Sequence, residues 1–388
     1  MQEFRYSLKT DVIFGKDKIT ELPSLLGMYG KKVLLVYGGS SIKRSGLYDT
    51  ICGLLKDFEL FELGGICSNP QVSYVNAGAK ICRREGIDVV LAVGGGSVMD
   101  ASKAIGLANY YEGDAWDLIT QQAAVEKCLP LVCVLTMAAS GSEVGCGAVI
   151  SNPATNEKLG IDHPEMYFRH VIMDPTYTMT LPAYQTACGA VDVLSHLMEQ
   201  YFTGSRSLLS CELCEGVMRT VVHYAPVAVR EPENEEARAQ LMWAASLANN
   251  GILSLGNDYS GWPCHAIEHE LSAYHNITHG LGLAIVTPAW MRHVTNERTA
   301  SAFARFGREI FCVDAADDVA AARQAADCLQ RFFESLSLAT SLEAAGITLE
   351  KTDEICEHAV EHGWLSYAWC PLTPQDVRAI LDACASGC

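Results

Sequence analysis

Ile87-Asp88-Val89-Val90-Leu91-Ala92-Val93-Gly94-Gly95-Gly96-Ser97-Val98-Met99-Asp100 passes from a short apolar segment through three glycines into a helical pattern. Nearly continuous apolar character over so few residues fits a strand buried on both faces. The glycines lack the β-carbons that would hold a diphosphate away from backbone amides. A helix starting at that point adds its unpaired N–H groups and the positive end of its dipole. Gly95, Gly96 and Ser97 are therefore candidate phosphate contacts. Ser97 and Asp100 also have the spacing of a capping box, which is the purely structural reading of both residues.

The same unit recurs on either side. Upstream, Val33-Leu34-Leu35-Val36 ends at Gly38-Gly39-Ser40-Ser41, followed by a helical segment to about Asp57 and another over Val75–Glu85. Downstream, Leu131-Val132-Cys133-Val134-Leu135 leads into Thr136-Met137-Ala138-Ala139-Ser140-Gly141-Ser142. Residues 4–15 read as an extended opening strand that ends at a glycine turn. Apolar strands alternating with helices predict a Rossmann-like parallel sheet covered on both faces, with ligands at the carboxyl ends of the strands. No acid follows Gly38-Gly39 to take a ribose 2′-hydroxyl; Ser40, Ser41 and Lys43 do, which favours NADP(H) over NAD(H).

From Pro182 onward the apolar residues fall at three- and four-residue spacing, predicting helices over about 183–201, 208–230, 235–253, 262–274, 281–294, 298–311, 316–336, 351–362 and 374–385. The chain thus divides into a nucleotide-binding α/β domain over residues 1–180 and an all-helical domain over 181–388, abutting at a cleft. The helical half carries the ligand-type residues. Asp192 and His196 lie one turn apart on one helix face, and so do His265 and His269 on another. His279 lies beyond the Asn276-Ile277-Thr278 break, just before Gly280. Each alone has a bland reading as a core or surface residue. Together, imidazoles and one carboxylate suit Zn2+ or Fe2+. Spacing alone would choose His269 as a ligand.

Two chemistries compete. His265-Ala266-Ile267-Glu268-His269 has the His-x-x-Glu-His spacing of inverted zinc proteases, with the glutamate activating water. A redox reading uses both halves, with a metal polarising a carbonyl and a nicotinamide delivering hydride.

Composition narrows the class. A length of 388 residues suffices for two cores, and a net charge of −18 argues against nucleic acid as a partner. The acidity is concentrated late, with 16 basic and 20 acidic groups in residues 1–180 but 12 and 26 in 181–388. The opening residues Met1–Tyr6 show no apolar run resembling a signal peptide, and no apolar run approaches the ~20 residues of a membrane span. A soluble cytoplasmic protein is expected, and its 16 scattered cysteines fit reduced, buried thiols, including Cys211 and Cys214.

Gly94–Lys103, Thr136 with Ser140-Gly141-Ser142-Glu143, the Asp192/His196 pair and the interval from His265 to His279 together resemble the iron-containing (group III) alcohol dehydrogenases over essentially the whole chain. Tyr37–Gly46 is similar to the NADPH-dependent butanol dehydrogenase and broad aldehyde reductase branch. The resemblance implies a dehydroquinate synthase-like fold, a homodimer, and a metal- and NADP(H)-dependent enzyme interconverting short aldehydes and primary alcohols. It implies Asp192, His196, His265 and His279 as metal ligands, with His269 facing substrate or nicotinamide as the catalytic residue. Gly95, Gly96 and Ser97 would hold the pyrophosphate, Thr136 and Ser140 would line the phosphate and nicotinamide region, and Lys158 would reach the nicotinamide ribose. Gly38, Gly39, Ser40, Ser41 and Lys43 would surround the 2′-phosphate, and Asp100 belongs to the same cofactor group. Val144-Gly145-Cys146 departs from the polar residues common after Gly-Ser-Glu. A polyol dehydrogenase or a dehydroquinate-synthase-like lyase would share the fold, and a nonenzymatic ligand sensor is a further alternative.

Overall fold

A computed structural model describes residues 2–386. The chain divides into two compact units, one spanning Ser7–Leu181 and the other Pro182–Cys388 together with the N-terminal residues up to Tyr6.

The first unit is built on strands β1 (Asp11–Phe14), β2 (Lys32–Tyr37), β3 (Glu59–Leu63), β4 (Val89–Gly94), β5 (Leu131–Leu135) and β8 (His170–Met173), with β6 (Gly147–Asn152) and β7 (Glu157–Asp162) in a separate hairpin. Its helices are α1 (Leu22–Gly27), α2 (Ser41–Arg44), α3 (Leu47–Leu54), α4 (Val72–Glu85), α5 (Gly96–Ala108) and α6 (Ala115–Ile119). The main sheet runs β1-β8-β5-β4-β2-β3, and every pairing is parallel. β4 and β5 are buried at every position, as their unbroken apolar sequences require.

Several elements differ from the sequence expectation. The opening strand contracts to Asp11–Phe14, because its partner β8 offers only the four rungs His170 to Met173. Strands β3, β6, β7 and β8 were not expected. β3 is an edge strand whose two glutamates break the apolar run, and β8 is too short to show a period. The hairpin turn Asn152-Pro153-Ala154-Thr155-Asn156, with Asn156 at φ 54°, was the available signal for β6 and β7. The capping box is also absent: α5 begins at Gly96 behind an N-cap at Gly95, without a side-chain cap.

The second unit contains α7 (Ala183–Tyr201), α8 (Leu208–Arg230), α9 (Glu235–Asn249), α10 (Pro263–His275), α11 (His279–Val294), α12 (Ala300–Phe311), α13 (Asp318–Ser335), α14 (Thr352–His362) and α15 (Pro374–Ser386). Helix α11 starts two residues earlier than its apolar pattern suggests, so His279 is its first residue rather than part of a loop. The close approach to α7 requires this arrangement: a β-carbon at Gly280 would lie 2.1 Å from the carbonyl oxygen of Cys188. No described helix is long and apolar enough to cross a membrane. Cys211 and Cys214 are buried and unpaired on α8.

Candidate functional site

In the α/β unit, sheet register brings the glycine turns together. Tyr37 is level with Val93, and Gly94 with Leu135, so the turns after β2, β4 and β5 leave the sheet at one height. The amide of Thr136 donates to the carbonyl of Gly94 at 3.0 Å. A β-carbon at Gly96 would meet Ser140 Oγ at 2.6 Å, and one at Gly94 would meet Val98 Cγ2 at 2.5 Å. The glycines therefore allow α5 to sit close on its strand while Ser140 closes over its first turn. Gly95, Gly96, Ser97, Thr136 and Ser140 thus converge at the N-terminus of a helix of 13 residues, an anion-binding arrangement.

Asp100 faces elsewhere. Its carboxylate accepts from Ser142 Oγ at 2.7 Å and from the amide of Val149 at 2.9 Å. One turn along α5, the buried Lys103 donates to Ser142 O at 2.6 Å, Ser142 Oγ at 2.9 Å and Gly147 O at 2.7 Å, using all three of its protons. Together these two charges pin the Ser140-Gly141-Ser142 turn to α5. Lys158 is buried on β7, opposite Ser151, and its charge reaches Asp100. On the turn after β2, Gly39, Ser40, Ser41 and Lys43 are exposed and Gly38 is partly so. Lys43 Nζ lies 5.2 Å from the Tyr37 ring centre and 4.5 Å from that of Tyr48. The Tyr37 and Tyr48 hydroxyls both donate to Glu62.

In the helical unit, α7, α10 and α11 converge on Asp192. Its Oδ1 lies 3.6 Å from Nε2 of His196, 3.7 Å from Nε2 of His265 and 3.5 Å from Nε2 of His279. These separations are too long for hydrogen bonds, and Asp192 Oδ1 and His265 Nε2 are buried without a hydrogen-bond partner. They match the ligand-to-ligand spacing of about 3.4 Å expected for a tetrahedral ion bound at about 2.1 Å. Orphaned buried atoms at that spacing fit a divalent metal.

The supporting shell is equally specific. His265 Nδ1 bonds to Glu199 and His279 Nδ1 to Glu268, both fully buried carboxylates. Such carboxylates fix the tautomer and aim Nε2 at the ion. Glu199 Oε1 also accepts from the amide of Cys264 at 2.7 Å, so one side chain caps α10 and orients its first histidine. Glu268 takes a second bond from Ser272, and Gly282 leaves it room, since a β-carbon there would lie 2.6 Å from Glu268 Cγ. Glu268 is therefore committed to His279, which removes it from the water-activating role of the protease reading. Glu199 went unnoticed in the sequence. Its signal was position, one turn beyond Ser195 on the helix that carries Asp192 and His196.

Burial raises the Asp192 carboxyl, but His196, His279 and His265 outweigh it and hold the group well below the usual carboxylate range. Burial pushes His196 down to about 3, keeping it neutral. Burial also lowers His265, but Glu199 and Asp192 overcome it and raise the ring to about 10. His269 lies one turn beyond His265 and is partly exposed, with its ring 6.1 Å from that of His265 and 5.6 Å from that of His279. Trp262 stands edge-on to His196 and His265 at 5.6 and 5.2 Å.

The parallel sheet thus carries phosphate-type turns, and the helical unit an aspartate–histidine cluster of metal-ligating residue types. The chain belongs to the iron-containing alcohol dehydrogenase family, whose N-terminal part matches residues 9–175 and whose C-terminal part matches residues 186–385. It is an alcohol dehydrogenase or aldehyde reductase. It is 43% identical to NADH-dependent butanol dehydrogenase A of Clostridium acetobutylicum, over 98% of this chain and 99% of that protein. It is 34% identical to the NADPH-dependent aldehyde reductase YqhD of Escherichia coli, over 94% of each. The crystal structure of NADH-dependent butanol dehydrogenase A from Thermotoga maritima superposes with a TM-score of 0.95 at 37% identity, covering 100% of this chain and 99% of that one.

Proposed function

We propose that this protein reduces short-chain aldehydes to primary alcohols with NADP(H) and one divalent ion, Fe2+ or Zn2+. The observation that carries the reading is the buried Asp192 oxygen facing three imidazole nitrogens at 3.5–3.7 Å. Asp192, His196, His265 and His279 would hold the ion. When bound, the ion supplies Lewis-acid polarisation of a carbonyl and the reduced nicotinamide supplies hydride.

The chain's own residues do the rest. Glu199 and Glu268 keep His265 and His279 aimed, and Trp262 screens the paired rings of His196 and His265. His269, partly exposed like His279 but outside the set around Asp192 Oδ1, would hand a proton to the product oxygen and be refilled from solvent. Gly95, Gly96, Ser97, Thr136 and Ser140 hold the pyrophosphate, braced from behind by Asp100 and Lys103, and Lys158 serves the nicotinamide ribose. Gly38, Gly39, Ser40, Ser41 and Lys43 form the 2′-phosphate pocket. Exposed hydroxyls and a lysine on that turn, with Glu62 engaged by two tyrosines, support NADP(H). The butanol dehydrogenases and aldehyde reductase among its relatives support the substrate class.

The test is anaerobic reconstitution with Fe2+ or Zn2+, followed by NADPH and butanal. Nicotinamide absorbance should fall, and absence of turnover with every short aldehyde and alcohol would overturn the reading. Lys43→Ala should narrow the NADPH-to-NADH ratio of kcat/KM. His269→Ala should retain the ion while kcat drops on the order of a hundredfold; an emptied site would instead make His269 a ligand.

A further inference from the structure

Beyond His269, α10 carries another ligand-type side chain, and it faces a different helix. Glu270 is 1% exposed, and its Oε1 bonds to His362 Nδ1 at 2.8 Å. Its Oε2 lies 3.7 Å from His358 Nδ1 and has no hydrogen-bond partner. His358 and His362 are one turn apart on α14, with ring centres 4.9 Å apart. Tyr274, one turn along α10 from Glu270, places its hydroxyl 3.2 Å from His358 Nδ1.

An unpaired buried carboxylate oxygen is costly to leave without a hydrogen bond, so its retention calls for a partner. At 3.7 Å from His358 it is too distant for a hydrogen bond but well placed to share an ion with it. The three ligand atoms lie within 4.8 Å of one another, a span that small side-chain rotations can close onto one centre. Two imidazoles and a carboxylate select a first-row transition ion over Ca2+ or Mg2+, which take oxygen. The helices are already held close, since a β-carbon on Gly363 would lie 2.3 Å from that of Ala266. His358 and His362 are 32% and 23% exposed at the side chain, so an ion can enter and water can complete its coordination.

We infer that Glu270, His358 and His362 form a second divalent transition-metal site, of the zinc-binding type, clipping α14 to α10. It is separate from the Asp192 cluster and shares no ligand with it. An ion there would tie down the helix that carries His265 and His269 and would stabilise the folded chain by mass action.

The full-length protein should be dialysed against Zn2+ for stoichiometry and against Co2+ for spectra. The wild type should bind a second ion per chain with nitrogen and oxygen ligation and no thiolate-to-cobalt charge-transfer band. His358→Ala/His362→Ala should lose that ion alone, and His265→Ala should lose only the ion at Asp192. Glu270→Gln and the partly exposed His358→Gln are milder variants that should preserve the fold and weaken the second ion at least about tenfold. Unchanged stoichiometry and cobalt spectra in the Glu270, His358 and His362 variants would reduce the cluster to an ion pair and overturn the proposal. If the double variant loses an ion while His265→Ala loses none, the clip stands and the reading of the Asp192 cluster fails.

Discussion

Asp100, which is partly buried, and Asp192, which is buried, are carboxylates near the site residues, one in each unit, and they are compensated differently. Burial raises the Asp100 carboxyl and lowers the Lys103 ammonium, yet Lys103, Ser142 and the Val149 amide give the pair a complete set of partners. Asp192 is held down instead by imidazoles, with Nε2 of His196, His265 and His279 lying 3.5–3.7 Å from its Oδ1. One arrangement is finished by the chain itself, and the other, under the proposed function, by an added cation. Removing a charge should therefore damage the fold at the first and the chemistry at the second.

The largest effect expected is from Asp192→Asn. It should empty the site and lower kcat/KM by roughly a thousandfold or more, because several kcal/mol of carbonyl polarisation is lost. The metal-free protein should lose some stability at pH 7, because a carboxyl held well below its usual range favours the fold above its unfolded pKa, but less than Lys103→Met loses. Metal analysis beside a denaturant titration checks both halves. Lys103→Met should do the reverse, costing about 3–5 kcal/mol of stability by removing the strongest charge that favours ionised Asp100 and unpairing the carbonyls it holds. A denaturation midpoint unchanged by Lys103→Met would break the contrast.

Glu199→Gln should sharpen it. The glutamine can still cap α10 but cannot hold His265 as a carboxylate does, so metal affinity should fall about 10–100-fold with little loss of fold. Competition with a chromophoric chelator measures that fall. The smallest effect should come from Asp376→Asn at the start of α15. Burial raises this carboxyl, but Thr373 and His293 outweigh it, leaving it below its ordinary 3.8. Its stabilisation is therefore complete above about pH 4 and disappears as pH falls through the lower folded value. Wild type and variant should differ by about 1 kcal/mol or less at pH 7, and should converge in acid.

Legibility in the sequence followed periodicity. The strands later found at β2, β4 and β5 stood out because burial on both faces demands unbroken apolar runs, and the bounds of α8 were readable to the residue. β3 and β8 did not stand out, because an edge strand carries charge and a strand of four residues shows no period. The ligand-type residues Asp192, His196, His265 and His279 were visible as residue types at helical spacing. Glu199, Glu268 and Lys103 were not assigned their roles, because a carboxylate or ammonium on a helix reads as solvent-facing until its partners are known.

Residue chemistry and local spacing determined that this chain would form a parallel sheet with glycine turns and a helical region bearing an aspartate–histidine cluster. Resemblance added the family and divided the histidines into roles. Only the tertiary structure decided that Glu268 serves His279, that Asp100 braces a turn through Ser142 and Val149, and that Glu270 meets α14. The reason is physical. Periodicity records which face of an element is buried, but a buried polar group's role depends on which atoms of distant elements lie within about 3 Å of it.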